Sequence, residues 1–158
     1  MTLKLKEFID KPFKDKRGVY WTSWQSSYLK GIKFVHDKFS VSKYRVLRGL
    51  HGDSKTWKLI SCSFGKFYFV VVNYDQHSKN YLKKYSTILN YDSGKQILVP
   101  PKHLNGMMCL SEQCVVHYKL SYKGRYVDSK DQISVKWNDN KFKIKWPLKN
   151  PILSNRDK

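Results

Sequence analysis

The chain has 158 residues, of which 41% are hydrophobic. This composition excludes a disordered protein and is sufficient for one domain, residues 1–158, with a buried core. The formal net charge is +19, but the lysines are spread along the whole length, which favours a solvated basic surface over a nucleic-acid patch. No apolar run approaches about 20 residues and no signal segment opens the chain, so we expect a cytoplasmic protein that contacts no membrane.

The pattern of side chains predicts mainly strands. Residues 24–32 are the one segment that predicts a short helix. Residues 67–72 are apolar on both faces, as in a strand inside a barrel or sandwich, and residues 141–146 alternate lysine with apolar side chains, as in a half-buried strand. Turn signals separate the segments, and their spacing predicts an all-β jelly roll, sandwich or small barrel. The predicted strands are 45–51, 58–64, 66–73, 85–90, 96–99, 114–122, 132–137 and 141–146.

A basic cluster lies around residues 48–58 of the sequence. Strict alternation puts Arg48 and His51 on opposite faces, but a bulge at Gly49 would bring both to one side. The polar turn 52–56 predicts a hairpin that sets Lys58 on the strand beside His51. Burying three such groups together is costly without an anionic ligand, which indicates a phosphate-bearing or enolate-forming ligand. Spacing alone favours the alternative, that all three are surface residues of a basic protein.

Several short segments along nearly the whole chain are landmarks when taken in order. They are 13–18, 46–51 (Val-Leu-Arg-Gly-Leu-His), 96–101, 118–119, 137–139, 144–147 and 151–157. This ordered set resembles the dTDP-4-dehydrorhamnose 3,5-epimerase family. The resemblance implies a cupin-like jelly roll or β-barrel with short flanking helices, a homodimer, and epimerisation of a nucleotide-diphosphate 4-keto sugar without metal or other cofactor. The absence of a His-x-His pair also argues against a metal.

The resemblance assigns roles to individual residues. His51 matches the base that removes a proton next to the C4 ketone, and Asp157 matches the carboxylate that orients this histidine. Lys58 matches the group that stabilises the enolate, because a proton α to a ketone is only weakly acidic. Tyr118 matches the acid that returns a proton to the opposite face. Without the resemblance, Tyr118 reads as a core tyrosine.

A second set of residues matches positions that bind substrate. Arg17, Arg48 and Arg156 match contacts to the nucleotide diphosphate or the sugar. Other substrate positions depart from the rhamnose-pathway pattern, and the changes resemble relatives that epimerise GDP-linked 4-keto-heptoses in capsule biosynthesis. These departures fall at Thr22, His36, Lys38, Asn105 and Gln132.

Two other functions remain open from the sequence. A non-enzymatic β-barrel that binds nucleic acid would use the +19 charge and the 15% aromatic content as a basic stacking groove, although no basic stripe appears. A sugar-nucleotide 3,4-ketoisomerase would act on similar substrates and would move the carbonyl group.

Overall fold

The computed structural model describes residues 3–158 and contains twelve strands in that range. Three short 3₁₀ helices, Ser26–Tyr28, Ser129–Asp131 and Asn140–Phe142, are the helical elements of this part of the chain. The strands are β1 (Lys6–Ile9), β2 (Phe13–Asp15), β3 (Gly18–Tyr20), β4 (His36–Lys43), β5 (Leu47–Gly52), β6 (Trp57–Phe64), β7 (Lys66–Asn73), β8 (Lys84–Asn90), β9 (Lys95–Val99), β10 (His103–Cys109), β11 (Gln113–Ser121) and β12 (Ile133–Ser134).

Ten of these strands form two five-stranded antiparallel sheets. The first sheet has the order β1-β9-β6-β11-β4, and the second has the order β12-β5-β10-β7-β8. Strands β2 and β3 form a separate hairpin. Side chains from both sheets meet in one buried cluster that includes Ile60, Phe69 and Val116, so the sheets face each other as a cupin-like jelly roll. The predicted all-β fold is confirmed.

Two further apolar clusters cover the outer faces of the sheets. On the second sheet, Val70 and Val72 pack with Phe142 and Trp146 from the C-terminal region. On the first sheet, Leu59 and Leu98 pack under residues 24–34. Strand β7 therefore buries one face between the sheets and the other beneath the C-terminal region, which explains why residues 67–72 are apolar on both faces.

Two sequence predictions are wrong at these outer layers. Residues 141–146 form no strand: a 3₁₀ helix ends there and Lys143 has a φ of 47°, although the alternate apolar side chains still pack on the second sheet. Residues 24–32 form only the 3₁₀ helix Ser26–Tyr28, and so the helices that flank the barrel are shorter than expected. In both segments the apolar side chains pack on a sheet, although the segment itself forms neither the predicted helix nor the predicted strand.

The kink expected at Gly49 is present. Between β5 and β10 the register pairs His51 with Asn105 and Arg48 with Met107, so three residue steps on β5 match two on β10. Gly49 has a φ of 129°, a conformation that a side chain strains. This bulge turns Arg48 and His51 towards the same cavity, as the sequence predicted.

No helix in residues 3–158 has the length and apolar character needed to cross a membrane.

Gly49→Ala tests the requirement for glycine at the bulge. A Cβ atom there would lie 2.5 Å from Cα of Gly106 and 2.9 Å from the carbonyl oxygen of Asn105, and these backbone atoms cannot move aside. We expect a loss of at least about 2 kcal/mol in the free energy of unfolding, measured by urea titration. Gly124→Ala is the control: its φ is 70° and no atom lies within 4 Å of the added carbon, so it should lose about 1 kcal/mol. Equal losses in the two variants would contradict the steric argument.

Candidate active site

A cavity of about 290 Å³ lies between the sheets and is lined by residues of β4, β5, β6, β10, β11 and the C-terminal segment. Nine of the twelve residues that the sequence singled out for a site line this cavity. They are His51, Lys58, Tyr118, Asp157, Lys38, Arg48, Asn105, Gln132 and Arg156.

A close contact between His51 and Asp157 lies in the lining of the cavity. Nε2 of His51 lies 2.7 Å from Oδ1 of Asp157, whose side chain is 4% exposed. Ser154 donates a hydrogen bond to Oδ2 at 2.7 Å, and the backbone N–H of Gly49 donates to Oδ1 at 3.3 Å. Burial raises the pKa of Asp157, but the hydrogen bonds from His51 and Ser154 outweigh this effect and lower the pKa below its usual value. Asp157 is therefore an acceptor that fixes the imidazole ring.

The second nitrogen of His51 faces Ser134. Nδ1 lies 3.1 Å from the Ser134 hydroxyl oxygen, which also accepts a hydrogen bond of 2.9 Å from Nε of Arg156. Because an ionised carboxylate only accepts hydrogen bonds, neutral His51 carries its proton on Nε2, and Nδ1 keeps a lone pair. In the structure this lone pair faces the Ser134 hydroxyl. Nδ1 can take a proton from a ligand in the cavity when the ligand replaces that contact.

Lys58 faces the cavity from the opposite sheet. The expected hairpin is wrong, because β5 belongs to the second sheet and β6 to the first, so the turn 52–56 crosses between the sheets. Nζ of Lys58 donates to Oδ1 of Asn105 at 3.1 Å and lies 3.9 Å from Oδ2 of Asp53. Burial lowers the pKa of Lys58, the Asp53 carboxylate works against this, and Arg156 adds to it. The result is a confined amino group beside the ligand space, whose charged form is favoured by Asp53 and disfavoured by burial.

Tyr118 lines the same cavity from β11, which is also in the first sheet. Its ring packs against the buried cluster between the sheets. Burial raises the pKa of Tyr118, although Ser40 and Arg48 partly offset that effect. The phenol therefore keeps its proton at neutral pH and can donate it. His51 and Tyr118 approach the cavity from opposite sheets, so a ligand between them meets a base on one side and an acid on the other.

Polar groups around the cavity hold the remaining cations in place. Arg48 donates from Nε to the Ser42 hydroxyl at 3.0 Å and from Nη2 to the carbonyl oxygen of Val41 at 3.2 Å. Nη2 of Arg156 donates to Oε1 of Gln132 at 3.3 Å. Nζ of Lys38 lies 5.0 Å from the centre of the Tyr126 ring and 3.8 Å from a carboxylate oxygen of Asp128.

Arg17, His36 and Thr22 lie outside the cavity lining. Arg17 is at the tip of the β2–β3 hairpin and forms an ion pair of 2.6 Å with Asp15. Nδ1 of His36 is 3.2 Å from the Tyr122 hydroxyl. The backbone N–H of Thr22 donates to Asp10 at 2.7 Å. Within one copy of the chain, the structure therefore does not bring these three residues to the ligand space.

Four residues that support the site were not predicted from the sequence. Ser134 contacts the free nitrogen of His51, and Ser154 contacts the carboxylate of Asp157. Ser42 holds Arg48, and Asp53 lies beside Lys58. Short polar side chains of this kind are common in turns and strand ends, so spacing does not separate them from ordinary loop residues. Only the separation of three positions from Ser154 to Asp157 suggests a local hydrogen bond.

The structure has no metal-type cluster in residues 3–158: no group of three or more His, Cys, Asp or Glu side chains there could hold an ion.

Comparison with known proteins gives the family. The sequence model of the dTDP-4-dehydrorhamnose 3,5-epimerase family matches residues 4–158. The chain belongs to this family. The family enzyme of Salmonella typhimurium is 30% identical over 156 residues, which cover 93% of this chain and 84% of the relative. The protein is thus an isomerase that acts on nucleotide-linked sugars.

Solved structures of the family share the fold. An epimerase from Legionella pneumophila, in complex with dTDP-4-keto-L-rhamnose, superposes with a TM-score of 0.88 at 29% identity and covers 97% of this chain and 84% of its own. An epimerase from Bacillus anthracis, with TDP and pyrophosphate bound, superposes with a TM-score of 0.87 at 30% identity and covers 96% of this chain and 89% of its own. The cupin-like architecture of the family therefore extends over nearly all of this chain.

Proposed function

We propose that this protein inverts one or two carbon centres next to the ketone of a nucleotide-diphosphate 4-keto sugar. The observation that carries the proposal is the approach of His51 and Tyr118 to one cavity from opposite sheets, with the Lys58 ammonium group beside them. Inversion through an enolate requires these three groups: a base on one face, an acid on the other, and a cation for the developing oxyanion.

The reaction begins when Nδ1 of His51 removes the proton from C3 or C5. The electrons of the broken C–H bond form a C–C double bond, and the C4 oxygen becomes an enolate oxyanion that Lys58 stabilises. Tyr118 then donates its proton to the opposite face of the same carbon, and the ketone reforms. Water returns a proton to the Tyr118 phenolate and takes one from His51. The net change is inversion of configuration.

The cations around the cavity suit the diphosphate of such a substrate. Arg48 and Arg156 line the same wall as His51 and Asp157, and arginine binds phosphate oxygens in bidentate geometry. The bound TDP of the Bacillus anthracis relative and the dTDP-sugar of the Legionella pneumophila relative support this assignment. We locate the reaction in the cytoplasm, where three free buried thiols, Cys62, Cys109 and Cys114, fit a reducing compartment.

Variants at His51 and Tyr118 test the two proton transfers. In deuterated water, His51→Asn should lower deuterium incorporation into the sugar by about 10²-fold or more, because no base remains. Tyr118→Phe should lower inversion more than incorporation, since the acid acts after the enolate forms. Mass spectrometry measures the deuterium and NMR measures the product stereochemistry and the carbonyl position. Chelation with EDTA should leave the wild-type rate unchanged. Wild-type exchange in His51→Asn, or a carbonyl that migrates, would refute this mechanism.

We further propose that the sugar differs from that of the rhamnose pathway. Asn105 lines the cavity where the rhamnose pattern has histidine, and Gln132 lines it where that pattern has glutamate. A carboxamide offers different hydrogen-bond geometry from an imidazole and does not titrate. Gln132 also removes a negative charge from the wall. These changes support a GDP-linked 4-keto-heptose, whereas the substrates named for solved relatives are dTDP-sugars.

Parallel assays with two substrates test this assignment. We expect a value of kcat/KM for a GDP-linked 4-keto-heptose at least about 10²-fold higher than for dTDP-4-keto-6-deoxyglucose, because buried polar groups left without partners discriminate strongly. The number of deuterons incorporated counts the centres that are inverted. Asn105→His should raise the rate on the dTDP-hexose relative to wild type. Efficient turnover of the dTDP-hexose alone would refute the heptose assignment and leave the epimerase proposal intact.

We also propose a homodimer in which the β2–β3 hairpin reaches the cavity of the other subunit. A two-stranded hairpin is marginally stable by itself, and Phe13 and Tyr20, which pair across it, are 59% and 73% exposed. The edge strand β4 exposes Phe39 and Val41. A partner subunit would cover these apolar groups and would bring Arg17 to a diphosphate that it does not reach within its own chain.

Mixed dimers test whether Arg17 acts on the partner's site. Arg17→Ala and His51→Asn subunits with different tags are co-expressed, and the mixed dimer is purified by both tags in turn. If Arg17 acts across the interface, one site carries both changes and the other none, so about half of the wild-type activity should return. If Arg17 acts within its own subunit, the activity of the mixed dimer should equal the mean of the activities of the Arg17→Ala and His51→Asn homodimers. A stable monomer in sedimentation at micromolar concentration would refute the dimer itself.

A further inference from the structure

Asp53 is a buried carboxylate behind the cavity wall. Its side chain is 3% exposed. Oδ1 accepts hydrogen bonds from the backbone N–H groups of Lys55 at 3.0 Å and Thr56 at 2.7 Å. Oδ2 is buried and has no hydrogen-bond partner in the described part of the chain. A buried charge without a partner is costly. The hydrogen bonds of the turn involve only Oδ1, so they do not explain why Oδ2 is buried.

The nearest cation to this oxygen is Lys58. Its Nζ lies 3.9 Å from Oδ2, and its side chain is 8% exposed. The ammonium group donates to Asn105 at 3.1 Å, which leaves further N–H groups for a ligand oxygen. The turn 52–56, which crosses between the sheets, therefore places the Asp53 carboxylate near Nζ of Lys58. Lys58 is the group that the proposed mechanism uses as a cation.

The other charged groups near Lys58 do not supply this negative charge. Arg156 carries the same sign as Lys58 and disfavours the ammonium form. His51 and Tyr118 line the cavity with it, but neither is an anion when ready to act. Asp157 is engaged by His51, Ser154 and the backbone of Gly49. Asp53 is therefore the carboxylate available to balance Lys58.

We propose that Asp53 is a positioning residue that keeps Lys58 protonated and directed at the C4 oxygen of the substrate. The inference rests on the proposed function of Lys58. Without Asp53, the buried amine would lose its proton more readily, and a neutral amine stabilises an enolate far less than an ammonium does. The negative charge of Asp53 also explains why Lys58 can be buried near Arg156. The three side chains together carry one net positive charge, which suits an anionic substrate.

Asp53→Asn separates this role from a purely structural one. Asparagine keeps an oxygen that accepts the N–H groups of Lys55 and Thr56, so the turn is retained while the charge is lost. We expect the pKa of Lys58 to fall by about 1 unit or more, read from the ¹³Cε resonance in the ligand-free protein and assigned by its loss in Lys58→Arg. The alkaline limb of kcat/KM should move to lower pH by the same amount, because activity falls as Lys58 deprotonates.

Asp75→Asn is the matched control. Asp75 also accepts a backbone N–H, that of His77 at 3.2 Å, and pairs with a lysine, Lys102, at 3.3 Å, but it lies outside the cavity lining. It should leave the pKa of Lys58 and the pH profile unchanged. If Asp53→Asn does not fold, Asp53→Ser provides a hydroxyl acceptor for the same turn and is measured in its place.

The outcomes separate the two proposals. An unchanged pKa of Lys58 in the folded Asp53 variant would overturn the role of Asp53. A wild-type protein that exchanges no deuterium into any 4-keto nucleotide sugar would refute the proposed function, but the pKa comparison needs no substrate and would still decide whether Asp53 balances Lys58. A lower pKa with an unmoved alkaline limb would overturn the inference, because Lys58 would then not act as an ammonium group.

Discussion

The contact between Asp157 and β5 ties the end of the chain to the centre of the site. One carboxylate accepts from the His51 ring, the Ser154 hydroxyl and the Gly49 backbone. Nearby, the backbone N–H of Leu47 donates to the carbonyl oxygen of Ile152 and that of Ile152 donates to Arg45, so the C-terminal segment is fastened beside the strand. This attachment holds the His51 ring and the Gly49 backbone in contact with Asp157 and places Arg156 beside them.

The charges of the site are arranged in two opposed pairs. On the second sheet, His51 faces Asp157, and on the first, Lys58 lies near Asp53. Asp53 lies behind Lys58 and outside the cavity lining, whereas Asp157 lies in the lining beside His51. Buried contacts between charged groups contribute little net stability. The value of both contacts therefore lies in the direction in which they hold His51 and Lys58.

The sequence was sufficient for strands rich in β-branched and aromatic residues and insufficient for strands that contain few of them. Residues 67–72 of β7 are all apolar, and this strand was predicted correctly. Strand β4 is a polar edge strand, and β10 contains Asn105 and Gly106, which are poor strand formers, so neither was predicted. The alternation of residues 141–146 correctly predicted which side chains are buried, but it did not predict the backbone conformation. Buried and exposed side chains also alternate in an irregular segment that lies on a sheet.

The candidate site was also predicted only in part. The resemblance located the residues that line the cavity, since their types follow from proton transfer. It did not give the side from which each one acts: Lys58 comes from the sheet opposite His51 and not from a hairpin beside it. Nor did it give Ser134, Ser154 or Asp53, which act only through contacts to other residues. Such contacts depend on three-dimensional proximity and leave no pattern in a single sequence.

The strand order has a consequence for how such an enzyme changes during evolution. Lys58 and Tyr118 lie on β6 and β11, which are flanked by strands on both sides, whereas Lys38 lies on the edge strand β4 and Gln132 directly precedes the edge strand β12. Edge positions accept new side chains and new loop lengths without disturbing the hydrogen-bond ladders within the sheet. The edges of the two sheets are therefore the places where the rim of the cavity can change without disturbing the strands that carry Lys58 and Tyr118.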